Sequence, residues 1–188
     1  MNFIKAIIFN LGLLISMVTL AKPVYSDELL TKAQNGDTSA QLELADVYMF
    51  GYGVEEDEVQ AESWAIKSAE NGNVDAMYWL ADGYVMYAKL VEDIDETDAD
   101  DHYKKASNWY LKGVELNHAD SIIGLADLYS EGKGGLIQDS QKALDLLSQA
   151  ANLGNKEAMS KIAFMYEYGL GVNKNLELAK TWNEKAKD

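Results

Sequence analysis

Residues 36–72 read GDTSAQLELADVYMFGYGVEEDEVQAESWAIKSAENG, and this stretch decides the fold because the chain writes it four times with variations. Its landmark is Tyr48, preceded four positions earlier by Leu44. The pair returns as Leu80 and Tyr84, Leu125 and Tyr129, and Ile162 and Tyr166, with the tyrosines spaced by 36, 45 and 37 residues. Self-similarity at a period of about 20–50 residues marks supersecondary units that stack, since one unit cannot bury its apolar face alone. Stacked arrays present long surfaces, and their usual work is binding.

Each unit opens on Gly36, Gly72, Asn117 or Gly154, followed by Asp37, Asn73, His118 or Asn155. Glycine, with asparagine as its substitute, takes the left-handed conformation that ends one helix, and the next residue's side chain accepts from the amides that open another. Ala40, Leu44, Ala45 and Tyr48 then fall at i, i+4, i+5 and i+8. So do Ala76, Leu80, Ala81 and Tyr84, then Ser121, Leu125, Ala126 and Tyr129, then Ala158, Ile162, Ala163 and Tyr166. This is one apolar face of a helix. The helix ends in Gly51-Tyr52-Gly53-Val54, Gly132-Lys133-Gly134 or Gly169-Leu170-Gly171-Val172. No strand pattern precedes these glycines and no GK[ST] follows them, so they read as turns, not a phosphate cradle. Asp57, Asp139 and Asn175 are placed to cap a second helix. It carries Ala61, Trp64, Ser68 and Ala69, matched by Ala106, Trp109, Gly113 and Val114, by Ala143, Leu146, Ala150 and Ala151, and by Ala179, Trp182 and Ala186. Tryptophans at helical spacing in every such column read as core.

The pattern resembles the Sel1-like repeat family, whose unit reads broadly G-x-x-x-A-x-x-x-L-A-x-x-Y-x-x-G-x-G-V, then D-x-x-x-A-x-x-W-x-x-A-A-x-x-G. Gly36, Ala40, Leu44, Ala45, Tyr48, Gly51, Gly53, Val54, Asp57, Ala61, Trp64, Ala69 and Gly72 carry the resemblance, with their later copies, over residues 33–187. It implies an all-α fold: a right-handed α/α solenoid of about four helix-turn-helix repeats, related to tetratricopeptide arrays. It also implies protein–protein interaction, often in bacterial envelope or host-contact systems; some members of the family act as periplasmic regulators or as inhibitors of a secreted toxin. The expected units are 36–71, 72–116, 117–153 and 154–188. Residues 27–35, with Leu29, Leu30 and Ala33, read as a half-repeat helix that caps the array.

Residues 1–5 are short and basic, 6–20 almost wholly apolar, and Ala21 or Ser26 offers a small residue for cleavage. Residues 1–26 therefore read as a secretory signal peptide. The alternative is an uncleaved anchor, but the apolar run falls short of the roughly 20 residues a bilayer requires. The expected location is periplasmic or secreted, with no membrane association after cleavage. There is no cysteine, which excludes disulfides, thiolate metal sites and a lipidated N-terminal cysteine. The chain has 16 lysines, no arginine, 31 acids and a net charge of −15. Such a surface repels phosphate backbones and anionic headgroups and lacks the bidentate phosphate ligand, so no nucleic acid is expected as a partner and a basic protein or peptide is favoured, although a solvated acidic surface with no partner explains the charge equally well.

Unit two breaks the register. Tyr84 and Trp109 stand 25 residues apart, against 16 from Tyr48 to Trp64 and from Tyr166 to Trp182, and the turn glycines are missing. The nine extra residues fall within 87–101 and bring seven carboxylates: Glu92, Asp93, Asp95, Glu96, Asp98, Asp100 and Asp101. Calcium favours oxygen ligands, yet no EF-hand glycine or closing glutamate has the spacing, so neither metal nor cofactor is expected. A solvated loop, lengthened helix ends and a contact for a basic partner all remain open for this segment.

Positions three, seven, ten and fourteen of each unit share the face opposite the apolar stripe. They read Ser39, Glu43, Asp46 and Phe50; Asp75, Trp79, Asp82 and Met86; Asp120, Gly124, Asp127 and Glu131; Glu157, Lys161, Phe164 and Tyr168. Stacking aligns Asp46 with Asp82 and Asp127, and Asp75 with Asp120 and Glu157. The candidate partner-binding set is Glu43, Asp46, Phe50, Asp75, Trp79, Asp82, Met86, Asp120, Asp127 and Glu131, an acidic groove with apolar anchors for a lysine-bearing peptide. A merely solvated face is the alternative. His118, Asp120 and Ser121 gather triad residue types, but Ser121 sits in the alanine column and His118 in the capping column, so no catalytic residue is expected. The reading is a non-enzymatic envelope scaffold; the alternatives are an inhibitor of a secreted toxin and, behind it, an envelope hydrolase.

Overall fold

The computed structural model describes residues 23–187, where nine α-helices and no strand are found. The leader reading and its cleavage point after Ala21 lie outside these residues, while Ser26 is the N-cap of the first helix. The helices are α1 Asp27–Gln34, α2 Thr38–Phe50, α3 Glu58–Glu70, α4 Val74–Val91, α5 Glu96–Glu115, α6 Ala119–Glu131, α7 Ser140–Asn152, α8 Lys156–Tyr168 and α9 Leu176–Lys185. Sequence neighbours pack as hairpins, each hairpin packs on the next, and α4 also touches α6, so the chain is an all-α solenoid. α1 packs against α2 at the N-terminal end.

Local chemistry sets the boundaries. Asp37, Asn73, His118 and Asn155 are extended N-caps whose side chains accept from amides two or three residues on. Just before them the backbone turns left-handed, at φ 92°, 91° and 88° for Gly36, Gly72 and Gly154 and 57° for Asn117. Only Asn117 takes such a φ as a non-glycine residue among those described, in keeping with the tolerance of asparagine for it. Asp57, Asp139 and Asn175 cap α3, α7 and α9 in the same way.

The apolar columns meet inside. Leu44, Ile122 and Ile162 are fully buried, as are Ala45, Ala81 and Ala126, whose small side chains bring neighbouring helices close. Ser68 Oγ donates to the Thr38 carbonyl at 2.6 Å and ties α3 to the start of α2. Trp64 is buried, and Trp109 and Trp182 pack half-buried against the core, so the tryptophan column is structural.

The insertion of unit two is not a loop. It lengthens α4 to 18 residues and α5 to 20, where α2, α3, α6, α7 and α8 each have 13. Two of its acids, Glu92 and Asp98, tie the two long helices together, and Asp95, Asp100 and Asp101 cap α5 or pair within it. Tyr103, buried on α5, donates its hydroxyl to Glu92 at 3.0 Å, and Glu92 also pairs with Lys133 from the turn of unit three. Asp95 is the N-cap of α5, its side chain accepting from the Asp98 amide at 3.0 Å. Asp98 accepts from Tyr87 Oη at 3.0 Å and lies 3.2 Å from His102 Nδ1. Asp100 and Asp101 flank the Lys104 ammonium at 2.8 and 3.6 Å. Glu96 lies in the first turn of α5, where the helix dipole favours an anion, and Asp93 is exposed. Asp95→Ala is expected to lower the unfolding free energy by about 1 kcal/mol, and Asp93→Ala to leave it unchanged, measured by urea titration.

Candidate binding groove

A groove of about 610 Å³ runs along α4, bounded by α2, the first turns of α3, and α5. Leu42, Phe50, Trp79 and Met86 supply apolar surface, and Asp75, Asp82, Glu58 and Glu62 supply carboxylates. Gly83 deepens it, since nothing stands within 4 Å of where its Cβ would be. Phe50 is fixed by stacking on Tyr52 at 5.4 Å. On the α5 side His102 lies 4.3 Å from the Tyr87 ring, and its Nδ1 faces the Asp98 carbonyl at 2.8 Å. Tyr84 donates its hydroxyl to Glu62 across the wall, and burial together with that carboxylate pushes the phenol far above its ordinary value.

Five of the ten residues read from the sequence as a partner face line this groove: Phe50, Asp75, Trp79, Asp82 and Met86. The other five stand elsewhere. Glu43 and Glu131 are exposed outside it. Asp46 accepts from Trp79 Nε1 at 2.9 Å. Asp127 takes both contacts of the Lys161 ammonium, at 3.0 and 2.9 Å. Asp120 accepts from Asn155 Nδ2 at 3.0 Å. Asp46, Asp82 and Asp127 therefore do not form an open acidic row, because the seventh residue of the next unit reaches back to the tenth of the one before. Reading helix faces singly hides this: the contact joins residues 33 and 34 positions apart.

Burial sets the electrostatics. The Asp46 carboxyl is pushed up to about 6, first by desolvation, with Glu43 adding to the rise and the Trp79 hydrogen bond opposing it. Asp82 is also raised, by desolvation first, with Lys89 lowering it and Glu157 raising it. Tyr78 is pushed up to about 12, first by burial and then by the charges of Asp82, Asp120, Glu157 and Asp127.

The triad-like residues are structural. His118 Nδ1 lies 2.8 Å from Ser121 Oγ and accepts from the Ser121 amide, so Nε2 carries the proton and faces Asp75 at 3.5 Å. Asp120 is not part of the array. Ser121 is fully buried against Gly113, where even a Cβ would collide with it, so no carbonyl substrate can reach the hydroxyl. Among the described residues no three His, Asp or Glu side chains converge as metal ligands.

The sequence reading missed Leu42, Met49, Glu58, Val59, Glu62, Tyr78, Leu80, Gly83, Tyr84, Tyr87, His102 and the cationic Lys105 as groove residues. Leu80 and Tyr84 belong to the framework columns and gave the signal of core residues; Tyr78, Gly83 and Tyr87 stand on α4 outside the predicted face, and the rest come from α2, α3 and α5, whose approach only the packed hairpins define.

The family model described as Sel1 repeat matches residues 38–73, 74–118, 119–155 and 156–188. The chain belongs to the Sel1 repeat family. Sel1 repeat proteins are protein-interaction scaffolds, and the family is generally non-catalytic. The Sel1 repeat protein of Oxalobacter formigenes has a similar structure, with a TM-score of 0.67 and 28% identity over 85% of this chain and 61% of that one. Among curated proteins, cytochrome c oxidase assembly factor 7 of Xenopus tropicalis is 34% identical over 84 residues, 45% of this chain and 36% of its own. An ERAD-associated E3 ubiquitin-protein ligase component of Candida glabrata is 33% identical over 75 residues, 40% of this chain and 8% of its own. This Sel1 repeat chain spans about a third or less of the length of those curated relatives.

Proposed function

We propose that this Sel1 repeat chain is a non-enzymatic adaptor of the bacterial cell envelope, periplasmic or secreted, that holds a basic protein or peptide in the α4 groove. One observation carries the reading: an apolar floor of Phe50, Trp79 and Met86 is edged by carboxylates in a chain of net charge −15. Apolar anchors supply affinity, and the acidic edge steers and selects a cationic partner. The leader-like residues 1–26 support a place outside the cytoplasm, and the relatives' names, an assembly factor and a ligase component, support work among other proteins. The acidity also suits a more specialised version, an inhibitor seated on a basic secreted hydrolase; loss of self-protection on deleting the gene would favour it, and normal resistance would remove it.

Val59 is 76% exposed at the groove edge and Ile137 is 87% exposed outside the groove. A photo-crosslinking residue at Val59 is expected to trap one envelope protein in living cells, and the same residue at Ile137 to trap none. The purified pair should then form a complex that Met86→Lys weakens by about tenfold or more. Equal capture from both positions, or a complex indifferent to Met86→Lys, would remove the groove from the function.

A further inference from the structure

The back-reaching contacts between units form a ladder with one rung missing. At the first rung the Trp79 indole N–H reaches Asp46 at 2.9 Å, and at the third the Lys161 ammonium reaches Asp127 at 2.9 Å. At the second, the seventh residue of the unit is Gly124, which has no side chain to offer Asp82. The space cannot be filled from within. The Tyr110 ring stands where a Cβ on Gly124 would be, so this rung has a buried phenol in place of a side chain from the seventh position; burial first and then Asp82 raise that phenol, but it makes no hydrogen bond to the acid. Asp82 has no hydrogen-bonded or ion-paired side chain among the described residues, although it is half-buried and opens into the groove. Near enough to feel its charge are the phenols of Tyr78, which lines the groove, and Tyr110, which is buried, their ring centroids 6.2 Å apart, and the Lys89 ammonium, which lowers the carboxyl's value without pairing with it.

We propose that a lysine side chain of the partner occupies the missing rung, its ammonium pairing with Asp82 beside the Tyr78 ring and its neighbours in sequence resting on Trp79 and Met86. This rests on the groove being the partner site and names what the groove selects. Lysine is favoured because the chain itself fills the equivalent position against Asp127 with Lys161. An aromatic ring beside a carboxylate suits an alkyl ammonium, which gains from the ring quadrupole and from a charge-assisted hydrogen bond. Burial holds the Asp82 carboxyl above its ordinary value, with Lys89 acting to lower it and Glu157 to raise it, and an ammonium arriving in contact would lower it further. The proposed occupant is an extended, lysine-bearing peptide segment of another protein, opposite in sign to the net charge of −15 that it must approach.

The test is selection of a random heptapeptide library on the purified full chain, repeated on Asp82→Asn and on Met86→Lys. Enriched peptides are expected to carry lysine at one fixed position beside apolar residues. Replacing that lysine by norleucine should weaken binding to the wild type by about tenfold. On Asp82→Asn, lysine and norleucine peptides should bind alike. Peptides that require Met86 but show no fixed lysine, or whose lysine preference survives Asp82→Asn, would overturn the lysine seat and leave the groove standing. Enrichment indifferent to Met86→Lys would overturn both. A circular dichroism melt of Asp82→Asn accompanies the binding data, and removal of a half-buried charge should not lower its midpoint.

Discussion

Trp79→Ala is expected to lower the unfolding free energy by about 3 kcal/mol at pH 8 and by about 1 kcal/mol less at pH 5. The indole is half-buried in the wall between α2 and α4, so its removal leaves a void that the flanking helices fill only in part. It also removes the donor from Asp46, a carboxylate already raised from 3.8 to about 6 by burial. The sign follows from linkage. A carboxyl whose folded-state value lies above its unfolded one binds its proton more tightly in the fold. Its favourable contribution is complete below 3.8 and is lost as pH rises through about 6. Without the indole N–H the folded-state value rises further, so the ionised form at pH 8 carries the larger penalty and protonation at pH 5 relieves it. Asp46→Asn keeps an acceptor for Trp79 and removes the titrating group, so Trp79→Ala made on that background should lose the difference between the two pH values. Urea titrations of the four proteins at both pH values measure it. Equal losses at pH 5 and pH 8 on the wild-type background would show that Asp46 is not the responsible group.

Gly134→Ala is expected to cost about 3 kcal/mol, against about 1 kcal/mol for Gly72→Ala. Both glycines have positive φ, 66° and 91°, where a side chain is disfavoured by sterics. Their surroundings differ. Nothing stands within 4 Å of a Cβ on Gly72, whereas one on Gly134 would lie 2.6 Å from the Tyr103 carbonyl oxygen and 3.0 Å from Ser107 Cβ. A backbone carbonyl inside a helix cannot move aside as a flexible side-chain end can. The difference between the variants isolates the close approach of the unit-three turn to α5, the same approach that delivers Lys133 to Glu92. Chemical denaturation with the urea dependence held constant measures it, and equal costs at the two sites would show that the turn yields without resistance.

The repeat columns were legible because they obey local rules. The caps at Asp37, Asn73 and Asn155, the left-handed residues before them and the apolar face led by Leu44 each follow from a few neighbouring residues and a helical period. The acids of unit two were legible as an anomaly but not as a structure. Their count and spacing are the same for a solvated loop and for two lengthened helices. What separates those outcomes is Tyr103 and Lys133 meeting Glu92, across 11 and 41 residues respectively.

The candidate groove divides along the same line. Helical geometry alone grouped Phe50, Asp75, Trp79, Asp82 and Met86, because residues three, four and seven apart share a face on any helix. Whether an acid on that face is available depends on what the next unit sets against it, and the sequence has no local term for that. Asp46, Asp82 and Asp127 occupy equivalent positions and look alike in the repeat. Packing gives the first an indole and the third an ammonium, while the second has Tyr78, Tyr110 and Lys89 in its field but none of them bonded to it, and no side chain at Gly124. The sequence by itself determined the repeating fold, since stacking needs only a periodic apolar face and well-placed turns. The tertiary structure decided which surface stays unsatisfied, since a free carboxylate is defined by the distance to every other chain segment that could have paired with it.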